Sequence, residues 1–154
     1  TLHTTLMRPK SRGSVTLQSA DPHQPPAIDP GFYTHPDDMA VAIKGARMGF
    51  EILEAKAMAA YRGKRLHAVD VNDDKAMEAY LRATCDTEYH PVGTCKMGPD
   101  SDPMAVVDAQ LRVKGVQGLR VVDASIMPAL TSGNTNAPSM VIGEKAADLI
   151  RSGT

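Results

Sequence analysis

His90 stands in a segment built to hold one side chain for chemistry: Tyr89-His90-Pro91-Val92-Gly93-Thr94-Cys95-Lys96-Met97-Gly98. Proline at position 91 excludes the helical region for the His90 backbone and keeps it extended. Gly93 and Gly98 carry no Cβ, so the main chain can turn there or come close to a ligand. An imidazole presented on such a segment can take or give a proton near neutral pH. A second stretch carries complementary chemistry. Ser132-Gly133-Asn134-Thr135-Asn136-Ala137-Pro138 runs straight into Ser139-Met140-Val141-Ile142-Gly143-Glu144-Lys145-Ala146-Ala147-Asp148-Leu149-Ile150. The second part reads as a helix, with Asn136 as its cap and Pro138 in its first turn. A helix start offers unpaired N–H groups and positive potential, and the two asparagines add carboxamide donors. That is a place for an electron-rich group.

Cys85 and Cys95 flank His90 at equal distances, a Cys-x4-His-x4-Cys arrangement that raises a metal reading. Structural zinc sites are built from two close pairs of ligands, and no second pair exists here. No metal is expected. A disulfide between the two is disfavoured without a secretory mark, which leaves two buried thiols.

The elements that must position these segments follow from pattern. Leu2, Thr4 and Leu6 alternate with His3, Thr5 and Met7, and Ser14–Gln18 is a second short strand candidate, so a hairpin through the Arg8–Gly13 turn is expected. Asp21-Pro22-His23-Gln24-Pro25-Pro26 must be an extended loop. A helix starts near Pro36, with Asp37 and Asp38 complementing its positive end. Met39, Ile43, Ala46, Phe50, Leu53 and Ala57 form its apolar stripe, and Gly45 and Gly49 allow close packing. A shorter helix follows Asn72 as cap, with Asp73 and Asp74 in its first turn and Met77, Tyr80 and Leu81 buried. Val106–Asp108, Leu111–Val113 and Leu119–Asp123 read as strands divided by glycine. Asp123, at the end of the last run, is placed where α/β sheets meet ligands. On the final helix Met140, Val141, Ala147 and Ile150 are expected on the packed side.

Composition removes several function classes. The formal charge is -1 with a pI near 6.5, so nothing points to nucleic acid or an anionic membrane surface. No apolar run approaches a membrane span and no signal peptide is visible. The expected setting is cytoplasmic or peripheral at a bacterial inner membrane. At 154 residues the chain can bury one ordinary core. It opens on Thr1 without a methionine, which reads as a start inside a longer protein.

Three motifs in order carry a family resemblance. They are His90-Pro-Val-Gly-Thr-Cys-Lys-Met-Gly98, Leu119-Arg-Val-Val-Asp-Ala-Ser-Ile-Met-Pro128, and Gly133-Asn-Thr-Asn-Ala-Pro138 with the tail Glu144-Lys-Ala-Ala-Asp-Leu-Ile150. Together they resemble the C-terminal part of the glucose–methanol–choline oxidoreductases, most of all the bacterial alcohol and choline dehydrogenases. The Arg8–Val15 stretch is similar to the start of that family's C-terminal region, so the resemblance covers nearly the whole chain. The family's Gly-x-Gly-x-x-Gly grip on FAD has no counterpart, since no two glycines here lie one residue apart.

The resemblance implies an α+β chain, the C-terminal fragment of a two-domain flavoenzyme. It would hold substrate-domain sheet and flanking helices plus the last strand and helix of the FAD domain. Residues 1–88 would be part of the substrate-binding domain and 89–116 the catalytic loop and strands. Residues 117–154 would be the returning strand, flavin loop and helix. His90 matches the residue that accepts the alcohol proton as hydride passes to the flavin. Asn134 matches its partner, which can donate to the substrate oxygen but cannot act as base. Tyr89, His90, Asp123, Ala124, Asn134, Thr135 and Asn136 match cofactor-contacting positions. The implied activity is FAD-dependent oxidation of an alcohol to an aldehyde. The implied partners are an alcohol, an electron acceptor such as a quinone, and the N-terminal FAD-binding portion of the same protein. The reading set against it is an inactive truncated module that binds no cofactor by itself. A lyase on the same scaffold is a weaker third.

Overall fold

The computed structural model describes residues 1–153, and the chain forms two compact units, Thr1–Glu88 and Tyr89–Thr154. In the first unit, β1 (Ser14–Thr16) pairs antiparallel with β2 (Ala27–Asp29), with Val15 opposite Ile28. The expected partner of β1 was the segment 2–6, which forms no strand. That segment instead lies along helix α1 (Pro36–Glu54), where Gly45 and Gly49 leave room for it. A Cβ on Gly49 would stand 2.9 Å from the Leu2 side chain, and one on Gly45 would stand 3.6 Å from Thr4. Alternation along residues 2–7 is real, but the surface that receives it is a helix.

α1 begins as its residue types dictate. The His35 Nδ1 accepts the Asp37 N–H at 3.2 Å, Pro36 sits in the first turn, and Asp37 and Asp38 face the helix dipole. Its apolar side packs on α2 (Asp74–Thr84), so that Met39, Ala42 and Ala46 share a core with Met77 and Leu81. Ile43, Phe50, Tyr80, Val69 and Val71 close around it. The stripe read from sequence holds through Phe50. α1 stops at Glu54, and Ala57 falls in an exposed 3-10 turn, Lys56–Met58. Burying the Met77 side chain completely stabilises this unit by about 2 kcal/mol. α2 is capped by Asp73, whose carboxylate accepts the Lys75 N–H at 2.9 Å, one residue after the expected Asn72. Arg47 reaches from α1 to the Val71 carbonyl and the Asp74 carboxylate, both at 2.6 Å, and so ties the α2 start to α1.

The second unit has little regular structure apart from helix α3 (Asn136–Arg151). The three strands expected between 106 and 123 are absent among the described residues. In their place stand isolated pairings of Val107 with Met97 and Val113, and of Arg112 with Arg120. Positive φ at Leu111, Gly115 and Gly118 turns the chain every few residues, too often for a ladder to extend. Val107 and Leu111 are nevertheless buried, with Ile126 and Ala146. α3 packs through Ile142, Ala146 and Leu149, whereas Met140, Val141, Ala147 and Ile150 are exposed. The expected apolar side was therefore misassigned. α3 carries apolar residues on two sides, and the i, i+4, i+7 set is the one that meets this core.

Candidate active site

The His90 segment opens on strain. Tyr89 has φ of 61°, a left-handed conformation uncommon for any residue with a Cβ, and Pro91 follows the histidine. Gly93 then turns at φ of 91°, and the Lys96 N–H closes the turn on its carbonyl at 3.2 Å. Beyond the turn the segment is laced to a short 3-10 helix, Ala124–Ile126. The Cys95 N–H donates to the Ser125 carbonyl at 3.0 Å, and the Met97 N–H to that of Ile126 at 2.8 Å. Lys96 donates to the Asp102 carboxylate at 2.7 Å. That hydrogen bond, helped by the Met104 N–H, holds the Asp102 carboxyl below its ordinary range. From Gly93 onward the loop that carries His90 is thus fixed by main-chain bonds and by the Lys96–Asp102 pair.

The second asparagine-rich segment also opens on a residue with positive φ, Ser132 at 65°. α3 starts at Asn136, and Thr135 rather than Asn136 is its cap. A threonine in this place ordinarily turns its hydroxyl onto an N–H of the first turn. Thr135 does not. Its backbone is already helical, with φ of -86° and ψ of 0°, and no side chain caps the helix. Its Oγ1 instead lies 3.1 Å from His90 Nδ1, and its main-chain N–H approaches the same nitrogen at 3.5 Å. Thr135 is buried and His90 half-buried.

Of the residues singled out by sequence, the structure brings His90 and Thr135 into contact and sets Asn134 and Asn136 on either side of Thr135, both exposed. Tyr89 is exposed beside His90. The Asp123 carboxylate accepts the Ser125 N–H at 2.7 Å and so starts the 3-10 helix, with Ala124 half-buried next to it. This helix in turn receives the His90 loop. Cys85 and Cys95 are free thiols, half-buried rather than buried as expected, because each lies on a loop or helix end at the edge of its core. No cluster of three metal-ligating side chains exists among the described residues. A shallow cavity of about 490 Å³ between Asp108 and the 112–120 turn is lined by none of these residues. The Thr135 hydroxyl as partner of His90 was not readable from sequence, because no local spacing links positions 45 apart.

The GMC oxidoreductase family model matches residues 9–143. The chain belongs to the GMC oxidoreductase family. This GMC chain is 48% identical over 151 residues to the mitochondrial choline dehydrogenase of Mus musculus, covering 97% of this chain and 25% of that protein. It is 50% identical over 142 residues to an oxygen-dependent choline dehydrogenase of Rhizobium rhizogenes, covering 92% of this chain and 26% of that protein. Among solved structures, a formate oxidase from Aspergillus oryzae RIB40, an enzyme in which modification of FAD has been followed, superposes with a TM-score of 0.88 at 32% identity. That match covers 96% of this chain and 26% of the oxidase. The chain therefore spans about a quarter of the length of the curated relatives it matches. Its α+β fold, helices with a small sheet, is that of the corresponding part of GMC flavoenzymes. No helix among the described residues is long and apolar enough to cross a membrane.

The α3 start fits an electron-rich group such as the edge of a flavin. It has no side-chain cap, and exposed carboxamides stand at Asn134 and Asn136. Asp123, Ala124 and Tyr89 lie in the same compact unit as α3.

Proposed function

We propose that this chain is the C-terminal portion of an FAD-dependent dehydrogenase that oxidises a choline-like alcohol to its aldehyde. The observation that carries this reading is the contact between His90 and Thr135. It holds the imidazole of the constrained His90 segment against the uncapped start of α3, beside the exposed carboxamide of Asn134. Identities near one half to choline dehydrogenases support the substrate class. When bound, FAD supplies the acceptor for the hydride that leaves the alcohol carbon.

The work of this chain is on the oxygen. A neutral alcohol is a poor hydride donor, so its O–H proton must leave as the hydride does. His90 takes that proton on its imidazole, and Asn134 donates a carboxamide N–H to the same oxygen and orients it. Asn136, Ala124 and Asp123 line the cofactor side with the α3 N–H groups, whose positive potential favours charge gathered on the cofactor edge. An acceptor such as a quinone would be the further partner of the holoenzyme.

The protein expressed from its complete reading frame, mixed rapidly with choline, tests this. His90→Ala is expected to slow flavin reduction by roughly 10²–10⁴, the usual worth of a positioned general base. Asn134→Ala is expected to cost less. Reduction of the His90→Ala flavin at the wild-type rate would place the base elsewhere.

A further inference from the structure

We propose that Thr135 is the positioning residue for His90: its hydroxyl accepts the Nδ1–H and leaves the Nε2 lone pair to meet the substrate. The inference rests on the role given to His90 above and adds which ring nitrogen works and what holds it there. An imidazole that takes a proton on Nε2 must already carry one on Nδ1, and that N–H needs an acceptor. The atom in place is Thr135 Oγ1, at 3.1 Å.

Three features of the structure make this hydroxyl suited to the task. First, it is free of the duty its position normally brings, because Thr135 caps no N–H of α3 and its oxygen has lone pairs to spare. Second, Thr135 is only 8% exposed, so the contact is largely withdrawn from water and the acceptor is supplied by the protein. Third, the Thr135 main-chain N–H also points at Nδ1 and would favour the opposite tautomer, but at 3.5 Å its hydrogen bond is long and weak beside the 3.1 Å contact of Oγ1. The Thr135 carbonyl is meanwhile occupied by the Ser139 N–H at 3.0 Å and the Ser139 hydroxyl at 2.7 Å. Those bonds anchor the Thr135 main chain to the first turn of α3, so the hydroxyl can leave the ring only by rotation about its own χ1. When Nε2 gains the proton, Nδ1–H keeps its acceptor and the imidazolium stays in the same orientation.

The test uses the protein expressed from its complete reading frame, with 15N in the histidine rings, in wild-type, Thr135→Val and Thr135→Ser forms. Imidazole 15N shifts report the tautomer of His90, assigned by loss of its signals in His90→Gln. Wild type and Thr135→Ser are expected to show the Nδ1–H tautomer. Thr135→Val, which keeps the shape and loses the acceptor, is expected to move toward Nε2–H. Flavin reduction at saturating choline should fall about tenfold in Thr135→Val and recover in Thr135→Ser, with the Kd for choline changed less than about twofold. An Nε2–H tautomer in the wild type overturns the inference. So does a Thr135→Val protein that keeps the wild-type tautomer, or one whose tautomer changes with no loss of rate. If His90→Gln reduces its flavin at the wild-type rate, the role of His90 itself fails, an outcome the tautomer measurement distinguishes because it does not depend on turnover.

Discussion

Gly93 turns its Cα toward the carbonyl of Met127: a Cβ at position 93 would stand 3.3 Å from that oxygen. Position 93 lies three residues after His90, and the Met127 carbonyl follows the 3-10 helix to which the His90 loop is bonded. The φ of 91° there is one that side chains rarely adopt. Gly93→Ala is therefore expected to destabilise the protein by about 1–3 kcal/mol, since it combines backbone strain with a tight contact to main chain. Urea denaturation measures the loss. Flavin reduction should slow with it, because the shift falls on the loop that aims His90, and an unchanged midpoint would show that the turn tolerates a Cβ.

Gly45 is the opposite case. It sits inside α1 with ordinary negative φ, and the nearest atom to an added Cβ is on Thr4 at 3.6 Å, a normal van der Waals distance. Gly45→Ala should stabilise the protein by about 0.5–1 kcal/mol through helix propensity. Gly49→Ala should gain less, because its Cβ must move the Leu2 side chain, 2.9 Å away. Thermal melts of both variants compare them directly, and a Gly45→Ala protein that melts below the wild type would refute the packing described for residues 2–6.

Asp38 gives the first unit an acid sensitivity. Its carboxylate is 4% exposed and accepts the main-chain N–H groups of Lys10 at 2.9 Å and Ser11 at 2.7 Å. Burial alone would raise its pKa, but the hydrogen bonds from Lys10 and Ser11 outweigh it and hold the carboxyl below its ordinary 3.8. A pKa lowered by folding stabilises the protein above the unfolded value and loses that contribution as the pH falls through the folded one. Stability should thus decline below about pH 4. Asp38→Asn should cost about 1–3 kcal/mol at neutral pH, because one of two part-buried N–H groups loses a charged acceptor. The same variant should show a flatter decline in acid. Chemical denaturation at pH 7 and pH 3 separates the two effects, and a variant with the wild-type slope would assign the acid loss to other carboxylates.

Met77 is fully buried between α1 and α2. Met77→Ala is expected to cost about 2–5 kcal/mol, the transfer of the side chain plus the cavity it leaves. Met77→Leu should cost less than about 1.5 kcal/mol. Equal losses in the two variants by urea denaturation would mean that the site collapses freely and that the core is less packed than its burial indicates.

What residues 1–153 owe to sequence alone is local. Pro36 with Asp37 and Asp38, and Asp73 with Asp74, each mark a helix start within a residue of where it lies, and Pro138 falls in the first turn of α3, because capping and φ restriction act over a single turn. The stripe from Met39 to Phe50 faced the core as its period required. The family was legible in three motifs whose residues stand close together in the chain. Tertiary structure decided everything that depends on a partner. Residues 2–6 and 14–16 carry similar alternation, yet one lies along a helix and the other joins residues 27–29, since alternation fixes faces and not neighbours. Val107 and Leu111 are buried without strands around them, because left-handed turns at Leu111, Gly115 and Gly118 interrupt each pairing. α3 has two apolar sides, and only the core it met selected Ile142, Ala146 and Leu149. The hydroxyl of Thr135 had a cap within reach in its own helix and went instead to an imidazole 45 residues away, a choice that no local preference encodes and that the fold alone makes.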